Sequence, residues 1–170
     1  MKAIVIYFSR ADENYFGGAM RYIDKGNTEV AAEYIAEITG AKLFKVERAV
    51  PYSRDYMTCI KEVQKEQREN ARPAIKNTLG SIADYDVVFV GSPIYWGTMP
   101  QPLFTQLEQL DFAGKTVMPF TTHEGSGLGS VVSDLKDICA GAKVKSGLAI
   151  SGSAVRGSKA QIEKWINNNL

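Results

Sequence analysis

The sequence predicts an α/β fold, a three-layer doubly wound domain whose five-stranded parallel sheet carries helices on both faces. Short apolar runs alternate along the chain with segments of helical periodicity, which is typical of β–α–β crossover units. The clearest run, Val87 to Val90 within the predicted strand Asp86 to Gly91, is uninterrupted, as expected for a strand buried on both faces. The 170 residues contain no repeat or linker, so we expect a single domain spanning residues 1–170.

The first strand and the first helix flank a long polar segment. Lys2 to Ser9 is predicted to form a buried strand. Residues 10–28 are polar and rich in glycine, which indicates a loop. From Thr28 to Thr39 apolar and small side chains recur at helical spacing, with Thr28 as the expected N-cap and Gly40 as the stop.

Two less regular elements follow. Ala41 to Val46 alternates in polarity and predicts a second strand near a sheet edge. Asp55 to Asn70 is rich in charged and amide side chains with a narrow apolar stripe, which indicates a solvent-facing helix that ends before Arg72-Pro73.

The second half of the chain alternates in the same way. Leu103, Leu107 and Leu110 recur at helical spacing, as do the apolar residues of the last segment. The predicted elements are strands at 86–91, 115–121 and 143–150, and helices at 102–110, 131–139 and 158–169.

Composition excludes several classes of partner. The net charge of +1 gives no electrostatic reason to expect nucleic acid or an anionic membrane. No apolar run approaches a transmembrane span, and no signal peptide is expected at Met1-Lys2. Cys59 and Cys139 match no metal-binding spacing, so we expect reduced thiols and a cytoplasmic protein. We also expect a monomer or weak dimer.

Three loops are predicted at the carboxyl ends of strands, where open α/β sheets bind their ligands. The first loop joins Ser9-Arg10 to Gly26-Asn27-Thr28. Its hydroxyls, its amide and the free N–H groups of a helix N-terminus suit an anion. The alternative is that Thr28 only caps the helix and Gly26 only forms a turn. Neither glycine-rich nucleotide fingerprint is present.

The middle loop runs through Pro93-Ile94-Tyr95-Trp96-Gly97. An exposed pair of large aromatic side chains is unfavourable unless something covers it, and a planar cofactor would do so. The alternative is that the pair covers the end of the sheet or forms a dimer contact. Gly97 permits a positive φ or the close approach of a ligand.

The third loop contains Thr122-His123-Glu124-Gly125-Ser126-Gly127. It is either a mobile linker or one wall of a ligand crevice. His123 is the only histidine, so no zinc motif exists here, and the glycine spacing around Ser126 is not that of a hydrolase nucleophile. We therefore predict neither a metal site nor a catalytic residue.

Read in order, these loops resemble the three FMN-binding loops of the flavodoxin family. The matching motifs are Tyr7-Phe8-Ser9, Gly26-Asn27-Thr28, Gly91-Ser92-Pro93-Ile94-Tyr95-Trp96-Gly97 and Thr122-His123-Glu124-Gly125-Ser126-Gly127. The resemblance covers essentially the whole chain and is closest to the branch whose paired aromatics precede Gly-Thr-Met-Pro. It implies a flavodoxin-like fold with strand order 2-1-3-4-5 and FMN as the cofactor.

The resemblance also implies which residues bind the cofactor. Ser9, Asn27 and Thr28 would bind the FMN phosphate, and Tyr95 and Trp96 would flank the isoalloxazine. Backbone groups of residues 94–97 and 123–127 would meet the polar edges of the ring. The full implied set is Ser9, Arg10, Gly26, Asn27, Thr28, Pro93, Ile94, Tyr95, Trp96, Gly97, Thr122, His123, Glu124, Gly125 and Gly127.

One segment departs from the family pattern. The phosphate loop of flavodoxins is normally compact, whereas residues 10–25 intervene here. We expect Arg10 and the aromatic residues Tyr15, Phe16 and Tyr22 either to fold over the cofactor or to meet a partner.

The resemblance implies an electron-transfer protein that binds FMN non-covalently and shuttles electrons between redox partner proteins, a reductase and an acceptor. The alternative is an NAD(P)H-dependent FMN or quinone oxidoreductase on the same fold, in which residues 10–25 and 55–70 build a substrate pocket or a dimer surface. A third possibility is a non-catalytic module that binds a phosphate-bearing ligand.

Overall fold

A parallel sheet forms the middle layer of the molecule. The structure, a computed structural model, describes residues 1–170. The strands of this sheet are β1 (Ala3–Tyr7), β4 (Lys42–Lys45), β5 (Val87–Pro93), β6 (Thr116–His123), β7 (Lys143–Val144) and β8 (Leu148–Ser151). Their order is β4-β1-β5-β6-β7, and β8 also pairs with β6. All of these pairings are parallel, and β4 lies at the edge as predicted.

The predicted fifth strand is present in two pieces. β7 pairs with the start of β6 and β8 with its end, so the two pieces occupy one position in the sheet. The gap falls opposite Met118 and Pro119, and proline has no N–H to offer the ladder. With these pieces counted as one strand, the predicted order 2-1-3-4-5 is confirmed.

Helices cover both faces of the sheet. They are α1 (Asn27–Thr39), α2 (Tyr56–Arg68), α3 (Gln101–Leu107), α4 (Val131–Ile138) and α5 (Lys159–Asn169), with a short 3-10 helix at Gly152–Gly157. Side chains of α1 and α5 pack in one core, and those of α2, α3 and α4 pack in the other. Alternate residues of β1 enter the two cores, Ile4 and Ile6 on one side and Val5 and Tyr7 on the other.

A β-hairpin replaces the loop predicted between the first strand and the first helix. Its strands are β2 (Asp12–Phe16) and β3 (Ala19–Ile23), which pair in antiparallel register. Gly17 and Gly18 form the two-residue turn, with φ of 62° and 78°. Positive φ at both positions is typical of the turn that joins such strands, so the loop prediction was wrong for these residues.

The ends of α1 show one wrong and one correct prediction. The helix begins at Asn27, the N-cap position is Gly26, and no side chain caps it. Thr28 therefore lies in the first turn and is not the N-cap. Gly40 ends the helix with φ of 73°, and its N–H bonds to the Ala36 carbonyl, as the sequence predicts.

The two cysteines are unpaired and buried. Burial raises the pKa of Cys59 to about 11 and that of Cys139 to about 12, so both thiols are protonated and unreactive at neutral pH. No helix combines the length and the apolarity that crossing a membrane requires.

Candidate functional site

A cavity of about 300 Å³ lies where β1, β5 and β6 end. This edge is where an open parallel sheet collects the loops that bind ligands. The residues that line the cavity are Ser9, Arg10, Asn14, Tyr15, Asn27, Thr28, Tyr56, Pro93, Ile94, Tyr95, Thr122, His123, Glu124, Ser126 and Gly152.

One side of the cavity is lined with hydroxyl groups and backbone N–H groups. The Ser9 Oγ accepts a hydrogen bond from the Glu29 N–H at 3.1 Å. The Oγ1 atoms of Thr28 and Thr122 lie 2.8 Å apart and join the first loop to the third. No side chain caps α1, and the N–H groups of Asn27 and Thr28 donate to no group of the chain. This side therefore offers donors to an anion at the positive end of a helix.

The hairpin leaves the sheet and returns at nearly the same point. A Cβ at Gly26 would lie 2.1 Å from the Ser9 Oγ and 2.7 Å from the Arg10 carbonyl oxygen. Only glycine fits such an approach. The inserted residues consequently do not separate Ser9 from Asn27 and Thr28, and the two halves of the first loop act as one.

Arg10 binds backbone carbonyls on two segments. Its guanidinium donates to the Glu13 carbonyl in the hairpin and, at 2.8 Å each, to the carbonyls of Ser53 and Arg54 before α2. The Arg10 side chain is buried, and its Nε is a buried donor without a partner. A buried guanidinium is costly unless its N–H groups are paired, and the carbonyls pair the terminal nitrogens here.

The two aromatic residues of the middle loop take different directions. Tyr95 lines the cavity, and its ring meets Phe8 edge to face with centroids 6.3 Å apart. Burial raises the pKa of the Tyr95 phenol above its ordinary value, so the group is neutral. Trp96 is 48% exposed and does not line the cavity, and its Nε1 donates to the Ile60 carbonyl of α2 at 2.8 Å.

A tight turn explains this divergence. Tyr95 and Thr98 pair across it, and Trp96 and Gly97 occupy its centre with φ of 52° and 85°. Positive φ at a tryptophan is strained and requires support from neighbouring structure. The support comes from Ser130, whose N–H and Oγ bond to the Gly97 carbonyl at 2.8 and 3.0 Å, and from Gln67, whose Nε2 donates to the Trp96 carbonyl.

The third loop is held by bonds within it and to the hairpin. The His123 Nδ1 accepts from the Gly125 N–H at 2.9 Å, so the neutral ring carries its proton on Nε2. The Glu124 Oε2 accepts from the Gly17 N–H of the hairpin turn at 3.0 Å. The Thr121 Oγ1 donates to the Gly127 carbonyl at 2.8 Å. The loop thereby presents His123 and Glu124 to the cavity.

Most of the implied cofactor-binding residues line this one cavity, and the others do not. Those in the lining are Ser9, Arg10, Asn27, Thr28, Pro93, Ile94, Tyr95, Thr122, His123 and Glu124. Those outside the lining are Gly26, Trp96, Gly97, Gly125 and Gly127. The residues outside the lining are four glycines of the loops and Trp96, which packs on α2.

Part of the lining was not among the implied cofactor-binding residues. Tyr15, which we expected either to fold over the cofactor or to meet a partner, lines the cavity, as does Asn14 of the same hairpin. Tyr56 comes from the start of α2 and Gly152 from the start of the 3-10 helix. The Gly17-Gly18 pair is a hairpin signal that could have placed Asn14. No local pattern links Tyr56 to the cavity.

Comparison with known proteins gives one family and a consistent fold. The family model described as flavodoxin matches residues 19–169. A search of the curated proteins found no match.

Three solved structures illustrate the likeness. A provisionally named flavoprotein from Bacteroides eggerthii is 31% identical with a TM-score of 0.71, covering 95% of this chain and 97% of its own. One from Bacteroides uniformis is 27% identical with a TM-score of 0.72, covering 98% and 97%. A flavoprotein from Lactobacillus acidophilus in complex with FMN is 22% identical with a TM-score of 0.63, covering 92% and 97%.

The family match extends over nearly the whole chain and agrees with the parallel sheet, its strand order and the three loops at one edge. The chain belongs to the flavodoxin family.

Proposed function

We propose that this protein binds FMN non-covalently in the cavity and shuttles electrons between redox partner proteins in the cytoplasm. The single observation that carries the proposal is a cavity with a hydroxyl-lined side and a tyrosine-lined side at the switch point of the sheet. The family membership supports it, as does the FMN complex of the similar Lactobacillus acidophilus flavoprotein. FMN supplies reversible electron transfer when it is bound.

The residues present fit a phosphate at the hydroxyl-lined side. Ser9 and Thr28 offer hydroxyls, Asn27 and Thr28 offer free N–H groups, and the dipole of α1 favours negative charge there. Arg10 also lines the cavity, and its positive charge favours a phosphate there. We therefore assign the phosphate to this side.

The residues present also fit a planar ring. Tyr95 offers an aromatic face that Phe8 holds in place. His123, with its proton on Nε2, can donate to a ring carbonyl or nitrogen. The cavity thus offers a polar surface for the phosphate of FMN and an aromatic surface for its ring. The bound ring would exclude water from the Tyr95 side.

Titration of the purified apoprotein with FMN tests the proposal. We expect saturable quenching of flavin fluorescence at one FMN per chain, because stacking against a tyrosine quenches the flavin. The variant Asn27→Asp places a negative charge in the phosphate site. It should lower the affinity for FMN but leave the affinity for riboflavin unchanged, because riboflavin has no phosphate. Saturation that is absent, or equal weakening of both flavins, contradicts the proposed site.

The same cavity gives support to a second function, an NAD(P)H-dependent FMN or quinone oxidoreductase. Asn14, Tyr15 and Tyr56 line the cavity in addition to the three loops, so the chain has side chains available for a second planar ligand. Steady-state oxidation of NADPH with a quinone, and without a reductase, separates the two functions. Rapid turnover supports the oxidoreductase, and turnover only after addition of a reductase supports the carrier.

A further inference from the structure

Two tyrosines, one from the hairpin inserted in the first loop and one from the start of α2, form a separate part of the cavity lining, which we call the outer wall (Tyr15 and Tyr56). Tyr15 lies in β2 of the hairpin and Tyr56 is the first residue of α2. Their ring centroids are 6.4 Å apart and the rings are tilted by 33°. Both residues line the same cavity as Tyr95. An aromatic pair of this kind is a surface for a flat ligand.

Arg10 joins the two segments that carry these tyrosines. One terminal nitrogen of its guanidinium donates to the Glu13 carbonyl in β2, and the other donates to the Ser53 and Arg54 carbonyls just before α2. A planar guanidinium can satisfy acceptors on two segments at fixed angles, whereas an ammonium group cannot. Arg10 thus fixes the position of β2 relative to the start of α2.

Glu13 makes a second connection between the same segments. Its Oε1 accepts a hydrogen bond from the Tyr56 N–H at 3.0 Å, one of the N–H groups that a helix leaves unpaired at its start. The neighbouring Asp55 caps α2 through the Thr58 N–H at 2.8 Å. The hairpin therefore takes part in capping the helix that carries Tyr56.

The hairpin has few other attachments near the cavity. Its turn bonds to Glu124 through the Gly17 N–H, and Phe16 is buried near Gly152. Tyr15 itself is 44% exposed and is not fixed by burial. The bonds made by Arg10 and Glu13 are the ones that join the strand of Tyr15 to the start of α2.

We propose that Arg10 is a positioning residue, which together with Glu13 holds Tyr15 against Tyr56 so that the outer wall covers the bound flavin and raises its affinity. The proposal rests on the proposed function, because it takes FMN to be the ligand of the cavity. It assigns to the inserted hairpin the role of a cofactor-retaining wall, and it separates the geometric role of Arg10 from the attraction between its charge and a phosphate.

Arg10→Lys is the decisive variant, because it keeps the positive charge but removes the planar guanidinium that donates to both segments. Two measurements on the full chain apply: amide hydrogen exchange of residues 12–23 in the apoprotein, and FMN affinity by fluorescence titration. We expect Arg10→Lys and Arg10→Ala to speed exchange across the hairpin and to weaken FMN by a similar factor, about tenfold, equivalent to roughly 1.4 kcal/mol. Glu13→Gln keeps an acceptor for the Tyr56 N–H and should restore most of what Glu13→Ala loses.

The wall itself is tested by Tyr15→Ala and Tyr56→Ala against Tyr15→Phe and Tyr56→Phe. The alanine variants should weaken FMN by about tenfold, and the phenylalanine variants should bind like the parent, because the ring rather than the hydroxyl covers the ligand. Normal hairpin exchange and FMN affinity in Arg10→Lys overturn the positioning role. Parent-like affinity in both alanine variants overturns the outer wall.

Failure of the proposed function gives a different result. If the parent chain does not bind FMN at all, the ligand assignment is wrong, while the exchange measurement on the apoprotein still decides whether Arg10 holds the hairpin. If the parent binds FMN and Arg10→Lys binds equally well but Arg10→Ala does not, the charge of Arg10 is what matters and the positioning role is wrong.

Discussion

The cavity has two sides that the chain builds in different ways. The inner wall (Ser9, Thr28 and Thr122) consists of buried residues at the ends of strands and in the first turn of a helix, whose backbones the parallel sheet holds. The outer wall is formed by partly exposed tyrosines that a hairpin and a helix start bring together. The inner wall depends on the core of the fold, whereas the outer wall depends on a few hydrogen bonds.

Substitutions in the two walls should therefore have different effects on stability and on FMN affinity. Changes in the inner wall should lower both the stability of the protein and its affinity for FMN, since the same atoms serve both. Changes in the outer wall should alter affinity and hairpin motion with little loss of stability, because local segments with few buried contacts open at small cost.

The largest effect is expected from Gly26→Ala. The added Cβ would meet the Ser9 Oγ at 2.1 Å and the Arg10 carbonyl oxygen at 2.7 Å, so the first loop must shift. Such overpacking should lower the free energy of unfolding by about 1 to 3 kcal/mol and also weaken FMN. Gly80→Ala is the control, because nothing lies within 4 Å of a Cβ there. Urea unfolding and FMN titration measure both effects, and equal behaviour of the two variants would contradict the close approach.

A second comparison concerns the neighbouring aromatics. Tyr95→Ala should weaken FMN by about 1 to 3 kcal/mol, the range for loss of an aromatic stacking surface. Trp96→Ala should change FMN affinity much less, because Trp96 packs on α2 and not on the cavity. Fluorescence titration of both variants measures the difference. A larger loss for Trp96→Ala would identify Trp96 as the stacking residue instead.

The smallest effect is expected within the inner wall, from the pair Thr28 and Thr122. Their Oγ1 atoms share one buried hydrogen bond, so Thr28→Val or Thr122→Val alone leaves a buried hydroxyl unpaired. Each single variant should lose about 1 kcal/mol in the free energy of unfolding, and the double variant should lose clearly less than the sum. Urea unfolding of the four proteins gives the coupling energy. Additive losses would mean that the bond contributes nothing to stability.

The sequence predicted the parts of the molecule whose signals are local. Uninterrupted apolar runs such as Val87 to Val90 indicated the buried strands, and the loops after those strands converged on one edge as expected. The broken fifth strand was not predicted, because a proline in one strand affects the pairing of its neighbour only once both are in the sheet.

Tyr15 was expected over the cofactor or against a partner, but its pairing with Tyr56 could not be predicted, since it depends on distant segments. Arg10 binds carbonyls more than forty positions away, just before Tyr56, and no local sequence pattern links the two residues. The direction of the Trp96 side chain could not be predicted from the sequence either. A Tyr-Trp pair gives no sign that a tight turn will send one ring to the cavity and the other to α2.

The contact between Ser9 and Gly26 has a consequence for engineering. Because the chain leaves and rejoins the edge of the sheet at one point, the hairpin is an insertion whose two ends lie next to each other. A different compact segment with closely spaced ends could be grafted there without moving the sheet or α1, since ends that already meet impose little closure entropy on the scaffold. The position of the hairpin, beside the cavity, is therefore a suitable insertion site for a reporter or a docking peptide.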